Sequence, residues 1–198
     1  MATVDDGQLW SRSRRDDHEA FAALFRLHAG TVYTYCFRRT ADWATAEDLT
    51  SVVFLEAWRR RETVRLQAPK VLPWLLGVAT NVIRNQRRSL RRYQATLARL
   101  PPLEPQRDFA EELASRLDDE ERMRALLALV RRLPQVEQDA LALCAWQGLS
   151  TADTAFALGV AQSTVRSRLF RARARLRELD KEAIATPDLP SIEGIDAR

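Results

Sequence analysis

The chain has 198 residues, which is enough for one domain of ordinary size or two small ones. Hydrophobic residues make up 46% and aromatic residues 8% of the sequence, a composition that excludes an intrinsically disordered protein. The formal net charge is only +4, so a basic surface has to come from the way in which the charges are distributed along the chain.

Signals for membrane insertion, secretion and metal binding are missing from the sequence. Its longest apolar stretch, residues 71–79, is far too short to span a bilayer, and no basic segment followed by an apolar one opens the chain. Cys36 and Cys144 are far apart, and neither His18 nor His28 has a cysteine nearby. We therefore expect a cytoplasmic protein with two buried thiols, no metal, no cofactor and no membrane insertion.

The first half of the chain is dominated by helical periodicity. One helix is predicted from apolar residues at three- and four-residue steps: Phe21, Leu24, Phe25, His28, Val32 and Tyr35. A second helix is predicted from about Thr45, where acidic residues would favour the helix dipole, and a third from about Pro73 through Arg92. The core line predicted for the second helix consists of Leu49, Val53 and Ala57.

A proline-rich and acidic stretch separates the two halves. Three prolines fall between residues 101 and 105, and residues 104–121 hold eight acidic residues against two arginines. The sequence thus predicts an all-α protein of two small helical domains joined by a flexible acidic linker. The predicted parts are an N-terminal extension (1–16), a first domain (17–99), the linker (100–117), a second domain (118–179) and a flexible tail (180–198).

The second domain carries a helix-turn-helix pattern. Ser150 can cap a helix that runs through Leu158, Gly159 can make the turn, and a second helix can start near Gln162. Six arginines lie between residues 166 and 177 with no acidic residue among them, whereas a helix that is merely solvated usually mixes both signs. The buried stripe predicted for this helix is Val165, Leu169, Ala172 and Leu176. Such a helix suits the major groove of DNA.

A second basic segment lies in the first domain. Residues 81–92 contain five arginines and no acidic residue, and Asn81 and Asn85 are one helical turn apart. An asparagine side chain offers a hydrogen-bond donor and an acceptor, which suits it to reading the edge of an exposed base. The two basic segments indicate a protein that touches DNA at two places.

Four collinear motifs in the chain resemble those of extracytoplasmic-function (ECF) sigma factors, the reduced two-domain form of the bacterial sigma-70 family. They are AEDLT and VFLEAWR within residues 46–59, WLLGVATN at 74–81, GLS at 148–150, and STVRSRLFRAR at 163–173. The similarity covers about residues 17–179. It implies a first domain equivalent to sigma region 2, a second equivalent to sigma region 4, and a factor that directs core RNA polymerase to promoters and promotes their melting.

The resemblance also implies partners and site residues. The partners would be core RNA polymerase (the clamp coiled coil of its largest subunit and its beta flap), promoter DNA and an anti-sigma factor. Polymerase contacts would come from Glu47, Asp48, Val52, Leu55 and Arg59. Contacts with the −10 element would come from Asn81, Arg84, Asn85, Arg87 and Arg88, with the loop at 60–72 helping to capture a flipped base. Contacts with the −35 element would come from Ser163, Thr164, Arg166, Ser167, Arg168, Phe170 and Arg171.

Three features depart from the family pattern. Ser51 stands where a glutamine is usual, and the loop at 60–72 lacks the aromatic-glycine element of relatives. Thr154 places a hydroxyl at a core position of the first helix of the helix-turn-helix, where we expect it to donate to a backbone carbonyl.

Two other classes of protein fit the sequence less well. A stand-alone helix-turn-helix regulator would account for the C-terminal basic helix, but it needs neither the second basic segment nor the acidic helix at 46–59. An enzyme is disfavoured because the sequence has no glycine-rich phosphate loop, no G-x-S-x-G motif and no paired histidine and cysteine.

Overall fold

A computed structural model describes residues 5–66, 70–97 and 112–185 of the chain. Within these ranges it contains α-helices, one short π-helical turn and no strand, which confirms the all-α prediction. The helices are α1 (Asp6–Ser13), α2 (His18–Thr40), α3 (Trp43–Arg60), α4 (Val71–Leu97), α5 (Glu112–Val130), α6 (Gln135–Leu141), α7 (Thr151–Leu158) and α8 (Gln162–Ala185), and the π-helical turn is Ala142–Trp146.

Short polar side chains fix where several of these helices begin. Asp17 accepts from the Ala20 amide at 2.9 Å and caps α2, and Asp42 accepts from the Thr45 amide at 2.6 Å and caps α3. Helix α3 therefore starts at Trp43, two residues before the predicted Thr45, because Asp42 caps it. The acidic residues predicted for its first turn, Glu47 and Asp48, lie beyond that turn.

Helices α1 to α4 form a bundle, the N-terminal bundle, around one apolar core that extends to Ala142 and Leu143 of the π-helical turn. The predicted line of Leu49, Val53 and Ala57 is buried, as are four of the six positions predicted for α2. Phe21 is only partly buried and Phe25 is 44% exposed, although the Phe25 ring still packs against Phe54 with 4.7 Å between ring centroids.

The predicted N-terminal extension contains a packed helix. Trp10 of α1 is buried, its ring lies 4.8 Å from that of Trp74, and its indole donates to the Val64 carbonyl at 3.2 Å. Asp6 of the same helix lies 2.9 Å from Nε2 of the buried His28. Residues 6–13 therefore pack as part of the N-terminal bundle.

Helices α5 to α8 form the C-terminal domain. Helix α5 is described from Glu112, a position inside the predicted linker. Glu120, counted in the acidic stretch, accepts from the Trp43 amide at 3.1 Å and so ties α5 to the start of α3. Helix α8 runs to Ala185, into the predicted tail. The predicted flexibility of residues 100–111 and 186–198 concerns positions outside the described residues.

The helix-turn-helix has the predicted local structure. Ser150 accepts from the Asp153 amide at 3.0 Å and caps α7, and Gly159 ends it with φ of +63°. Val165, Leu169, Ala172 and Leu176 are the buried stripe of α8. The expectation for Thr154 is wrong: its fully buried hydroxyl lies 3.1 Å from the sulfur of Cys144, which comes within reach because the π-helical turn packs against α7.

Candidate polymerase and promoter interfaces

One side of α3 is exposed although it carries large apolar side chains. Val52 is 43% exposed and Leu55 is 48% exposed, while the opposite side of the helix is the buried core line. All five residues predicted to contact polymerase lie on this exposed side: Glu47, Asp48, Val52, Leu55 and Arg59. An apolar centre with a charged rim is the composition expected of a protein-binding surface. We call it the α3 surface.

A groove of about 570 Å³ runs between α3 and α4. Asp48 and Val52 line it from the α3 side, and Asn81 and Asn85 line it from the α4 side. Both asparagines are exposed, as is Arg88 one turn later. The structure thus brings the candidate base-reading asparagines beside the candidate polymerase contact, which the sequence did not predict.

The other two residues predicted to contact the −10 element point elsewhere. Arg84 donates from Nε to an oxygen of Asp139 at 2.7 Å, and Arg87 donates to the side-chain carbonyl of Gln138 at 3.3 Å and to the main-chain carbonyl of Arg39. Asp139 and Gln138 belong to α6 in the C-terminal domain. The five predicted −10 residues are therefore divided between an exposed side of α4 and a side that the C-terminal domain covers.

A buried ion pair lies at the centre of this contact. Arg39 of α2 is 1% exposed and its guanidinium is 2.5 Å from the carboxylate of Asp139, which is fully buried. Arg39 also donates to the main-chain carbonyl of Gln138 at 3.0 Å. Burial, with Arg39 nearby, lowers the pKa of Arg87 to about 10. We call Arg39, Arg84, Arg87, Gln138 and Asp139 the interdomain cluster.

Sequence reasoning missed Arg39 and Asp139. The sequence indicates the burial of Asp139 only weakly. Asp139 directly precedes seven residues that are all apolar or cysteine, at positions 140–146, and an acidic residue beside such a stretch can be buried with it. Nothing local to α2 distinguishes Arg39 from Arg38 beside it.

The basic side of α8 is open over most of its length. Ser163, Arg166 and Arg171 are exposed, Phe170 is 76% exposed, and Thr164, Ser167 and Arg168 are partly buried. None of the seven residues predicted to contact the −35 element is fully buried. The start of α8 therefore offers polar and basic side chains in the way a recognition helix does.

An acidic residue from another helix neutralises part of that basic side. Glu137 of α6 is buried, and its carboxylate pairs with Arg175 and, at 3.4 Å, with Arg171. Two arginines of this run, Arg171 and Arg175, are thus paired in the structure with an acidic residue from another helix. Arg171 has a structural partner as well as its predicted place at DNA.

The described residues give little support for a metal site, a reactive cysteine or a membrane-spanning helix. No group of three or more histidine, cysteine and acidic residues there is placed to hold a metal ion. Burial raises the pKa of the Cys36 thiol to about 12 and also raises that of Cys144, so neither is a reactive thiolate at neutral pH. No described helix combines the length and apolarity that crossing a membrane requires.

Two protein families match the chain in the order that the motifs predicted. The family Sigma-70 region 2 matches residues 24–93, and the family Sigma-70, region 4 matches residues 123–176. The first match covers α3 and most of α4, and the second covers the helix-turn-helix.

Whole proteins of known class are also similar. The ECF RNA polymerase sigma factor BldN of Streptomyces coelicolor is 33% identical over 174 residues, which are 87% of this chain and 64% of BldN. The ECF RNA polymerase sigma factor SigL of Mycobacterium tuberculosis is 33% identical over 156 residues, which are 78% of this chain and 85% of SigL.

Solved structures share the fold. CnrH, solved in complex with the cytosolic domain of CnrY, aligns with a TM-score of 0.66 and 21% identity over 89% of this chain and 97% of that one. RpoE of Bartonella quintana, solved with the anti-sigma factor NepR, aligns with a TM-score of 0.59 and 22% identity over 81% and 96% of the two chains. The two matched regions and the ECF relatives show that the chain belongs to the ECF RNA polymerase sigma factors of the sigma-70 family, whose members are transcription initiation factors and not enzymes.

Proposed function

We propose that this protein acts in the cytoplasm, binds core RNA polymerase through the α3 surface, and directs it to promoters through two separate DNA contacts. The observation that supports the proposal best is the placement of three surfaces on one chain: an apolar and charged side of α3, an exposed asparagine pair on α4, and a basic recognition helix. A stand-alone regulator requires only the last of these.

In this proposal the polymerase and −10 contacts act together. The groove between α3 and α4 joins them, so a strand that enters beside Asn81 and Asn85 lies next to the clamp coiled coil of the polymerase. Capturing a flipped base there offsets the few kcal/mol that unstacking a base costs. The asparagine pair would therefore favour the melted form of the promoter.

The −35 contact is proposed for the start of α8. Ser163, Thr164 and Arg166 lie in its first turns, where side chains of a recognition helix reach base edges, and Arg168 and Arg171 follow towards the phosphates. We expect the C-terminal domain to bind the beta flap of the polymerase. We expect an anti-sigma factor to compete with the polymerase for the α3 surface.

Run-off transcription tests the proposal. Core polymerase with this protein should produce discrete transcripts from a subset of genomic fragments, and core polymerase alone should not. A transcript set that is the same with and without the protein contradicts the proposal. Footprinting without polymerase distinguishes a sigma factor from a stand-alone regulator, because only the regulator should protect duplex DNA by itself.

Pre-melted templates test the role of the asparagine pair. The variant Asn85→Ala should lose transcription from a duplex promoter and recover it on the same promoter with a mismatched bubble, because melting is then supplied in advance. Equal losses on both templates would assign Asn85 to a step other than strand capture.

A further inference from the structure

The residues that follow α3 lie at one end of the groove between α3 and α4. Arg60, the last residue of α3, lines that groove together with Asn81 and Asn85 of α4. Residues 61–66, which we call the 61–66 segment, continue from Arg60 and form neither helix nor strand. The segment is therefore placed to form a wall of the proposed site for a flipped base.

Side chains from α1 and the turn after it hold the main chain of this segment. Arg14 donates from Nε to the main-chain carbonyl of Arg61 and from Nη2 to that of Glu62, each at 3.2 Å. The planar guanidinium fixes two successive carbonyls at once, because its N–H donors have a rigid geometry. The indole of Trp10 donates to the Val64 carbonyl at 3.2 Å. Three carbonyls of the segment are thus bound by residues that lie 47 to 54 positions earlier in the chain.

The side chain of Arg61 fixes the start of the segment. Its guanidinium lies 3.7 Å from the centroid of the Trp58 ring, donates to the Trp58 carbonyl at 2.9 Å and forms an ion pair with Asp16. Asp16 has a φ of +62°, a left-handed conformation that aspartate tolerates better than most residues. The turn between α1 and α2 therefore presents to Arg61 a carboxylate that a glycine at this position would not supply.

The exposed side chains of the segment are carried by a main chain that is held in place. Glu62, Thr63 and Arg65 are exposed, whereas Val64 is partly buried. A segment without regular secondary structure opens easily unless other contacts hold it. A binding site, in contrast, has to be held within about 0.5 Å of its productive geometry. The contacts from α1 and the turn after it supply this restraint.

The attachment of α1 to the bundle has a separate cause that does not involve Arg14. Leu9 and Trp10 are buried in the core, and the burial of their apolar surface stabilises the packing of α1. Arg14 is only partly buried, and its hydrogen bonds to residues 61 and 62 end on the main chain of the 61–66 segment. Arg14 therefore acts on the segment rather than on the core.

We propose that Arg14 is a positioning residue for base selection at the promoter. Together with Trp10, it holds the 61–66 segment as one wall of the site in which Asn81 and Asn85 capture a flipped base. This inference rests on the proposed function of the asparagine pair. It gives α1 a part in promoter recognition, although α1 precedes residues 24–93, which match Sigma-70 region 2.

Base discrimination by the holoenzyme tests the proposal. The template is a promoter from the run-off assay with a mismatched bubble, in which each non-template base is replaced in turn by the other three, and the affinity of the holoenzyme is measured for each template. Asn85→Ala identifies the captured base as the position where discrimination is lost. Arg14→Met keeps a long side chain and removes its N–H donors, and Arg15→Met is the matched control, since Arg15 is the exposed arginine beside it. At the captured base the wild type and Arg15→Met should discriminate about tenfold, and Arg14→Met about twofold.

The outcomes distinguish this inference from the proposed function. Equal discrimination by the wild type and Arg14→Met would overturn the positioning role while leaving base capture by the asparagine pair intact. A wild type that discriminates between bases at no position of the bubble would contradict base capture, and the inference with it.

Hydrogen exchange of the free protein gives a readout without DNA. The amides of Thr63 and Val64 donate to the Arg60 carbonyl at 3.1 and 3.0 Å, so their exchange reports whether the segment stays ordered. In Arg14→Met they should exchange about tenfold faster than in Arg15→Met, while the amides of α2 keep their wild-type rates. Unchanged rates at Thr63 and Val64 would overturn the inference. Faster exchange throughout α2 would also overturn it, because it would show a loss of overall stability.

A second variant guards against an Arg14→Met protein that does not fold. Trp10→Phe removes the donor to the Val64 carbonyl and keeps an aromatic ring against Trp74, so it should lower discrimination at the same position of the bubble. Leu9→Val is its control, because it removes a buried methylene group from α1 without removing a hydrogen-bond donor. Full discrimination by Trp10→Phe, or an equally large loss for Leu9→Val, would contradict the inference.

Discussion

The hydroxyl of Thr154 in α7 lies 3.1 Å from the sulfur of Cys144 in the π-helical turn. Thr154 is fully buried, and a thiol is a weak hydrogen-bond partner for a hydroxyl. Thr80 of α4 makes a useful contrast, because it is just as buried but donates to the Leu76 carbonyl at 2.8 Å and lies 2.8 Å from the hydroxyl of Tyr35.

These two threonines should respond in opposite directions to the same substitution. Thr154→Val should raise the free energy of unfolding by up to about 1 kcal/mol, because a poorly paired buried hydroxyl is replaced by a methyl group of similar size. Thr80→Val should lower it by about 1–3 kcal/mol, since the buried Tyr35 hydroxyl loses its partner. Urea denaturation of both variants measures the difference, and a loss for Thr154→Val equal to that for Thr80→Val would contradict this reading.

Leu55 should contribute to polymerase binding without contributing to stability. Because its side chain is 48% exposed on the α3 surface, Leu55→Ala should leave the unfolding transition nearly unchanged. It should weaken the affinity for core polymerase by about 1–2 kcal/mol, the loss expected for an apolar anchor at an interface. Leu90→Ala is the control, since Leu90 of α4 is exposed to the same 48% but lies outside the α3 surface. Fluorescence anisotropy with core polymerase compares the two, and equal affinities would refute the assignment.

Arg166 should carry part of the −35 specificity. It is exposed in the second turn of α8, and Arg166→Ala should cost the holoenzyme about 1–3 kcal/mol on a matched −35 sequence, as expected for one lost base contact. Arg177→Ala, three turns later, should weaken binding to matched and scrambled sequences alike. Competition binding measures, for each variant, the ratio of its affinities for matched and scrambled −35 sequences. A matched-to-scrambled ratio that Arg166→Ala leaves unchanged would exclude a base-reading role.

Lys70, directly before α4, forms an ion pair with Asp153 of α7, and this pair should make stability depend on pH. Lys70, followed by the Ser150 hydroxyl, lowers the pKa of the Asp153 carboxyl below its ordinary value of 3.8. A lowered pKa stabilises the folded form above pH 3.8, and that contribution disappears as the pH falls through the lowered value. Between pH 6 and pH 3 the melting temperature of Lys70→Gln should therefore fall less than that of the wild type.

A charge-matched control accompanies the pH experiment. Arg65→Gln removes a positive charge from an exposed position five residues earlier in the chain, so it should keep the acid dependence of the wild type. Identical pH profiles for the wild type and Lys70→Gln would show that the ion pair contributes nothing to stability.

Local features of this protein were predictable because their causes are local. The cap at Ser150, the left-handed turn at Gly159 and the stripe from Val165 to Leu176 follow from a few neighbouring residues, and the structure has all of them. The periodicity in α3 likewise separated its buried line from the exposed side that contains Val52 and Leu55. The family motifs ordered these pieces along the chain, and the matched sigma-70 regions confirm that order.

The tertiary structure alone decided which charges meet. Arg84 and Arg87 are indistinguishable from Arg88 in the sequence, yet two of them contact the C-terminal domain and the third is exposed. Their partners in α6 lie more than fifty residues away along the chain. Glu137, which pairs with Arg171, lies 34 residues from it on a different helix. Periodicity and capping arise from neighbours within a few residues, whereas the pairing of buried charges depends on how the two halves of the chain pack, which brings together residues far apart in the sequence.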